Sequence, residues 1–472
     1  MIKQGPSDIS LPGADPFPRI RTGNPQADEI LGGGFPCNSI NVVMGQPGTG
    51  KTIFAEQLLF HNATGDRPLL YVTTLSEPMT KVVAYVQRFD FFDAARLGED
   101  IQYEDLGAAL SERGPAALTG WLADAIKTRS PKIIVIDSFR AIHDLAITAD
   151  DTRRFISDVA GFLSAYDVTA FLLGEYTQDD NRRFPEFAVA DAIVELARQP
   201  RSTRDERFLR VLKLRGSAYR ECQHAFRIGN GGLELYPRLV APRVPENYEP
   251  LAARRPTGIP GLDKMVAGGF LAGSTTLIVG MTGAGKTTIA LQFALEGIRQ
   301  GEKTLYVNFQ ENPAQLRRAI ANLGADPDAL RDQGFQLLYA SPVELQIDSI
   351  VVEIFEAIKT GAIGRLVIDA VGDLAAAASD SQRLHDYLYS LIQHFAARGV
   401  TTVMTMESGE AFTGASTMND QRFSYMSDNL IYLAWSAEKV GHRTIRIIKM
   451  RGSAHDRETR EFEIGGHGAR IK

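Results

Sequence analysis

The strongest constraint on this chain is that it contains itself twice. Gly45-Gln-Pro-Gly-Thr-Gly50-Lys51-Thr52 returns as Gly280-Met-Thr-Gly-Ala-Gly285-Lys286-Thr287, 235 positions later. Arg21-Thr-Gly23 pairs with Pro256-Thr-Gly258, and Gly33-Gly34-Phe35 with Gly268-Gly269-Phe270, at the same offset. The offset drifts only to 232 at Ile136-Asp137 against Ile368-Asp369, and to 236 at Leu212-Lys-Leu-Arg-Gly-Ser217 against Ile448-Lys-Met-Arg-Gly-Ser453. Landmarks kept in one order at one period mark tandem copies of a single unit. Prolines 237, 242, 245, 250 and 256 lie between the copies and suit an extended, semi-rigid junction. The expected organisation is a polar tail over residues 1–18, a first domain over 19–244 and a second over 245–472.

Within each copy, short apolar runs alternate with longer amphipathic stretches. Ile40 to Met44, Leu69 to Thr73, Ile133 to Ile136 and Ala170 to Leu173 read as buried strands, and residues 53–62, 79–89, 120–128 and 151–165 as helices. The second copy supplies matching strands at 276–279, 305–307, 365–368 and 402–406. This alternation predicts an α/β fold, a mostly parallel twisted sheet with helices on both faces, built twice.

Both G-x-x-x-x-G-K-[ST] sequences follow a predicted strand and open a predicted helix, which is the context a phosphate-binding loop requires. The first offers Gly45, Gly48, Thr49, Gly50, Lys51 and Thr52, and the second Gly280, Gly283, Ala284, Gly285, Lys286, Thr287 and Thr288. Glycines let the backbone N–H groups close around phosphate, the helix N-terminus favours the negative charge, and lysine reaches the β- and γ-phosphates. Thr52 with the strand-end Asp137, and Thr287 with Asp369, are the candidate Mg²⁺ groups. Glu77 and Glu311, just after the next strand, are candidate catalytic residues that orient or deprotonate water, the alternative being a capping acid ahead of the following helix. Glu175 and Glu407 end further strands and are candidate γ-phosphate sensors. ATP and Mg²⁺ are thus the expected cofactors.

Composition narrows the partners. Lys plus Arg total 51 against 57 Asp plus Glu, a net charge of −6, which argues against a dedicated nucleic-acid binder. Two cysteines without metal-ligand spacing fit a reducing, cytoplasmic setting. No run approaches the roughly 18 apolar residues of a membrane span.

Taken together, these residues resemble the KaiC family of RecA-like ATPases, over nearly the whole chain. The resemblance rests on the Thr-Gly and Gly-Gly-Phe turns before each phosphate loop, the glutamates and aspartates at strand ends, and above all Lys213-Leu-Arg215-Gly-Ser217 and Lys449-Met-Arg451-Gly-Ser453-Ala-His455. It implies that these side chains reach the nucleotide of a neighbouring subunit, in a ring that is typically a homo-hexamer with two stacked tiers. The alternative is that Lys-x-Arg decorates an edge strand. The family places adjacent glutamates after the second strand, whereas this chain has Ser76-Glu77 and Gln310-Glu311. Tyr219 stands where the second copy has His455. Clock kinases of the family accept phosphate on a Ser-Thr pair; the matched positions are Ser424 and Tyr425 in the second copy and Phe187 and Ala188 in the first. Ser424 is therefore the candidate phosphoacceptor. The resemblance implies a signalling or timing switch with a KaiB-like partner, while an activator that needs a longer C-terminal tail is not expected. Two other readings stay open: a RecA-like DNA motor or recombinase, drawing on the Arg198 to Arg215 charge run, and an ATP-dependent assembly scaffold with little turnover.

Overall fold

The computed structural model describes residues 18–75, 78–145, 148–200, 205–242, 251–342, 345–377, 381–407, 425–436 and 439–472. The chain divides into two compact units, residues 1–238 and 239–472. The division falls six residues before the proline-based boundary because the junction packs on the second unit: Leu239 lies against its core, and Val240 C=O meets His394 Nε2 at 2.8 Å.

In the first unit β1 (Ile40–Met44) runs into α1 (Lys51–Asn62), followed by β2 (Leu69–Thr73), α2 (Met79–Val86) and β3 (Ile101–Asp105). Then come α3 (Ala116–Arg129), β4 (Ile133–Asp137), α4 (Ala149–Ala165) and β5 (Thr169–Gly174). Four further strands close the unit: β6 (Ala192–Pro200), β7 (Asp205–Leu214), β8 (Gln223–Gly229) and β9 (Gly232–Tyr236). They form one nine-stranded sheet in the order β9-β8-β7-β6-β1-β5-β4-β2-β3. The pairings from β6 to β3 are parallel, and β7, β8 and β9 extend the sheet antiparallel.

The second unit repeats this with β10 (Thr275–Gly280), α5 (Lys286–Arg299), β11 (Thr304–Asn308), α6 (Pro313–Asn322), β12 (Phe335–Tyr339), α7 (Ile347–Gly361) and β13 (Arg365–Asp369). It continues with α8 (Val371–Ala377), α9 (Ser381–Ala397), β14 (Thr401–Glu407), β15 (Asn429–Trp435), β16 (Arg443–Met450), β17 (Arg460–Gly465) and β18 (Gly468–Ile471). Its strand order, β12-β11-β13-β14-β10-β15-β16-β17-β18, is that of the first unit.

Both faces of each sheet are covered, so the central strands need apolar residues at every position rather than every second one. On β4, Ile133 and Val135 join one core layer while Ile134 and Ile136 join the other. The antiparallel extension was not expected as a block of three strands, because its residues alternate in burial: β7 reads exposed, buried and intermediate in turn and carries Arg207, Arg210 and Lys213.

The repeats solve one core position differently. Arg365 opens β13, where the first unit has Ile133. Its side chain is fully buried. Nη1 donates to the Pro256 and Phe293 carbonyls at 2.7 and 3.0 Å, Nη2 and Nε donate to Glu302 at 2.9 and 3.3 Å, and the guanidinium lies 4.7 Å from the Phe293 ring centre. Gly297 makes the room, since a Cβ there would stand 2.6 Å from Arg365 Cδ. Removing Arg365 takes these donors from the Pro256 carbonyl and from a Glu302 carboxylate that keeps, among the described residues, only Arg255 Nη1 at 3.5 Å. Arg365→Met is therefore expected to destabilise the second unit by about 3–5 kcal/mol. Urea unfolding measures this, and a change below about 1 kcal/mol would contradict the assignment.

Candidate functional site

Each phosphate loop is built where a buried parallel strand must turn sharply into a helix. Gly50 and Gly285, immediately before α1 and α5, adopt φ of +99° and +104°, a left-handed conformation that favours glycine. At Gly45 a Cβ would come within 2.1 Å of the Leu196 carbonyl on β6, and at Gly280 within 2.5 Å of the Leu433 carbonyl on β15. Thr49 and Ala284 are fully buried beneath their loops. Gly48 and Gly283 lie at the loop tips with φ of +74° and +75°, and Thr288 follows Thr287 in the first turn of α5.

Lys51 Nζ donates to the Gly45 and Gln46 carbonyls at 2.9 and 3.1 Å, and Lys286 Nζ to those of Gly280 and Met281 at 2.8 and 3.0 Å. Burial lowers both ammonium pKa values, against the opposing pull of Glu175 and Asp137 in the first site and of Glu407 and Asp369 in the second. A cation held by two carbonyls of its own loop has its charge poorly compensated and is ready for phosphate oxygens. The first loop lines a cavity of about 640 Å³ shared with Asp137 and Glu175.

Asp137 Oδ2 accepts from Thr52 Oγ1 at 2.9 Å and from Tyr71 Oη at 2.6 Å. Asp369 is held by Tyr306 Oη at 2.8 Å and by Thr405 Oγ1. A hydroxyl and a carboxylate oxygen side by side are hard donors that fit Mg²⁺, which keeps several water and phosphate ligands of its own. Thr52 and Asp137 are the groups that would hold it in the first site, Thr287 and Asp369 occupy the matched positions in the second, and the ion would supply charge neutralisation between phosphates.

The two post-strand glutamates are not equivalent. Counted from the strand ends Thr73 and Asn308 to the prolines Pro78 and Pro313, Glu311 falls opposite Ser76, and Glu77 opposite Asn312. Glu77 itself lies outside the described residues. Glu311 is not a helix cap: Asn312 caps α6, accepting from Gln315 N–H at 2.9 Å. Glu311 Oε2 is buried without a hydrogen-bond partner, and its carboxyl pKa is raised by burial and by the nearby Asp369 charge.

Lys213 lies on β7 and Lys449 on β16, inside the sheets and not at an edge, with Arg215 and Arg451 one residue beyond the strand ends. Lys213 is opposite Ile193, the second residue of β6, which pairs with Val42 in the middle of β1; Arg215 N–H donates to the Asp191 carbonyl, level with the start of β1, whereas the phosphate loop leaves the far end of β1. Lys213 Nζ donates to the Phe187 and Ala188 carbonyls, both at 3.3 Å, and Arg215 Nη1 stands 3.3 Å from Asp191. In the second unit Lys449 Nζ donates to the Ser427 carbonyl at 2.6 Å and Arg451 Nη2 to that of Tyr425 at 3.0 Å. Ser453 Oγ accepts from Arg254, Ser217 Oγ is buried without a partner, and His455 is half-buried after the Arg451 turn. Ser424 lies outside the described residues, as do Arg201 and Arg204 of the charge run.

One group in the first cavity carries no motif. Glu56 is one turn beyond Thr52 on α1 and 1% exposed. Tyr103 Oη donates to Oε2 at 2.7 Å, Oε1 has no partner, and burial pushes the carboxyl pKa up to about 8. The matching residues of the second unit are Leu291 and Leu337, both packed in its core, so the fold does not require the polar pair. A single Glu in an apolar helix face has no local signature, but comparing the repeats position by position would have exposed it. A carboxyl whose folded pKa is raised keeps its proton in the native chain where the unfolded chain has lost it, so stability falls as pH rises from about 4.5 to about 8. Glu56→Leu is expected to reduce the drop in thermal midpoint between pH 5.5 and 8.5; an undiminished drop would contradict the buried neutral acid.

No helix among the described residues is long and apolar enough to cross a membrane. The family model for the KaiC ATPase matches residues 20–240 and again 255–472. The circadian clock oscillator protein KaiC of Picosynechococcus sp. (strain ATCC 27264 / PCC 7002 / PR-6) is 30% identical over 470 residues, covering 96% of this chain and 89% of that protein. KaiC of Rippkaea orientalis is 29% identical, covering 96% and 88%, and KaiC 1 of Synechocystis sp. 28%, covering 96% and 89%. With the phosphate loops, strand-end acids and strand order all duplicated, the chain belongs to the KaiC family of ATPases.

Proposed function

We propose that the protein binds ATP with Mg²⁺ at both phosphate loops, hydrolyses it, and assembles as a homo-hexameric ring whose sites are completed between subunits. The observation that carries this reading is the separation within each sheet. Lys51 and Lys286 stand where the parallel strands end, while Arg215 and Arg451 stand where they begin, with Lys213 and Lys449 two residues in and their ammonium groups turned to the carbonyls of Ala188 and Ser427 ahead of β6 and β15. Cations at that end do not serve the nucleotide of their own unit. A neighbouring copy would present them, with Ser217, Ser453 and His455, to stabilise charge on the transferring phosphoryl group.

Glu311 is the acid that accepts the proton of the attacking water in the second site. Its raised pKa and unpartnered oxygen favour proton uptake there. In the first site Ser76 occupies the matched position and Glu77, one residue later, is the available carboxylate. Ser424 is the acceptor when the second site transfers phosphate to protein instead of water. A ring that changes its surfaces with nucleotide and phosphate state acts as a signalling or timing switch and would engage a KaiB-like partner.

Incubation with γ-labelled ATP tests the reading in one assay. In a chain with the first loop disabled by Lys51→Ala, Glu311→Gln is expected to lower phosphate release by about 100-fold or more. Phosphopeptide mapping of the Glu311-intact chain should locate label on Ser424. Equal release from both forms would remove Glu311 from the mechanism, and an unlabelled Ser424 would remove the kinase half.

A further inference from the structure

The second site contains a hydrogen-bonded pair, Gln310 with Asp373, whose matched residues in its twin are the apolar Leu75 and Ala141. At the end of β11 the N–H groups of Gln310 and Glu311 both donate to Asn308 Oδ1, at 2.9 and 3.0 Å, which fixes the turn. From that turn Gln310 Nε2 donates to both carboxylate oxygens of Asp373, at 3.0 and 3.3 Å. Asp373 lies in the first turn of α8, four residues past Asp369, and its own N–H donates to the Ala370 carbonyl at 3.2 Å. Burial raises its carboxyl pKa; the Gln310 bond opposes this, and Asp369 and Glu407 add to it, which places Asp373 in the electrostatic field of the second site. In the first unit the matched residues are Thr73, Leu75 and Ala141, and Thr73 Oγ1 turns away to the Glu104 carbonyl at 3.4 Å.

The direction of the Gln310 amide follows from donor chemistry. A carboxylate only accepts, so Gln310 must present its NH₂ to Asp373, and the planar amide then turns Oε1 to the opposite side. An amide oxygen accepts a hydrogen bond but does not take the proton, so it suits the alignment of a nucleophile beside a neighbouring base. That base is Glu311, the next residue.

We propose that Asp373 is a positioning residue for phosphoryl transfer at the second site, acting through Gln310, whose Oε1 it orients to hold the attacking hydroxyl in line. The inference rests on the ATP-consuming reading of that site. In the step it serves, the nucleophile's oxygen bonds to the γ-phosphorus while the bond from that phosphorus to the bridging oxygen breaks. ADP leaves with the bridging oxygen, and the nucleophile's proton passes to the Glu311 carboxylate. The carboxylate missing at position 310 is thereby replaced by an amide that takes its orientation from a carboxylate on another element.

The test uses the full chain with Lys51→Ala, so that ATP turnover reports the second site. Asp373→Ala, which installs the residue of the first repeat, is expected to lower kcat on the order of 10- to 100-fold with KM changed by less than about twofold. Gln310→Glu with Asp373 present sets two carboxylates against each other and lowers kcat. In the Asp373→Ala background the same substitution raises kcat back toward the parent, a reversal of sign that a loss of folding does not produce. Unchanged kcat in Asp373→Ala, or an equal effect of Gln310→Glu in both backgrounds, overturns the proposal. Failure of the underlying reading shows elsewhere: the Lys51→Ala parent would turn over ATP no faster than the Lys51→Ala, Lys286→Ala double variant, and the proposal would fall with it.

Discussion

Each repeat is organised around one buried parallel strand whose carboxyl end has to turn at once into a helix. Residues 40–44 and 275–280 are hydrogen-bonded on both sides along their length, so the chain leaving them has no freedom until the glycines begin. That turn leaves N–H groups at a helix N-terminus open to an anion and folds the lysine ammonium back onto two loop carbonyls. The strand-end aspartates stand two strands away, on β4 and β13, and the tyrosines that hold them one strand further, on β2 and β11, so the parallel register of the sheet brings them to the same end as the loop.

Two copies on one scaffold also separate what the fold needs from what a site needs. Ile133 and Arg365, Leu291 and Glu56, and Ala141 and Asp373 are matched pairs in which one unit is apolar and the other polar. The sheet order is the same in both. Polar members in these pairs cost desolvation that the apolar twin avoids, so their presence marks local requirements and not architecture. Arg365 meets such a requirement inside the core, with every donor group engaged. Glu56 instead lines the cavity of the first phosphate loop, and Asp373 is hydrogen-bonded to Gln310 in the second unit.

Most of the framework was legible in the sequence because its signals are local. The runs at 40–44 and 69–73 coincide with strands β1 and β2, and the loops fall between strand and helix as the motif requires. The edge strand β3 was not legible, since Ile101 is its only fully buried residue and the rest is polar or aromatic. The antiparallel extension was equally obscure, because Lys213 and Arg215 read as a charge run until the register set Lys213 against Ile193 and Arg215 against Asp191, ahead of β6. Long-range pairs such as Tyr103 with Glu56 and Gln310 with Asp373 join segments dozens of residues apart, and no periodicity announces them. The match of Glu77 to Glu311 departs by one residue from the offset of 235 that the phosphate loops and Pro78 with Pro313 share, and that offset sets Glu77 against Asn312.

The central claim is that each site is completed by a neighbouring copy, because the trans cations stand at the opposite end of the sheet from the loop they would serve. Mixing two full-length variants tests it most directly: one with Lys286→Ala, and one with Lys449→Ala and Arg451→Ala, both carrying Lys51→Ala to silence the first site. Each alone is expected to be inactive in ATP hydrolysis, whereas mixed rings pair an intact loop with intact cations and recover turnover. Mixtures no more active than the sum of their separate components would contradict the account.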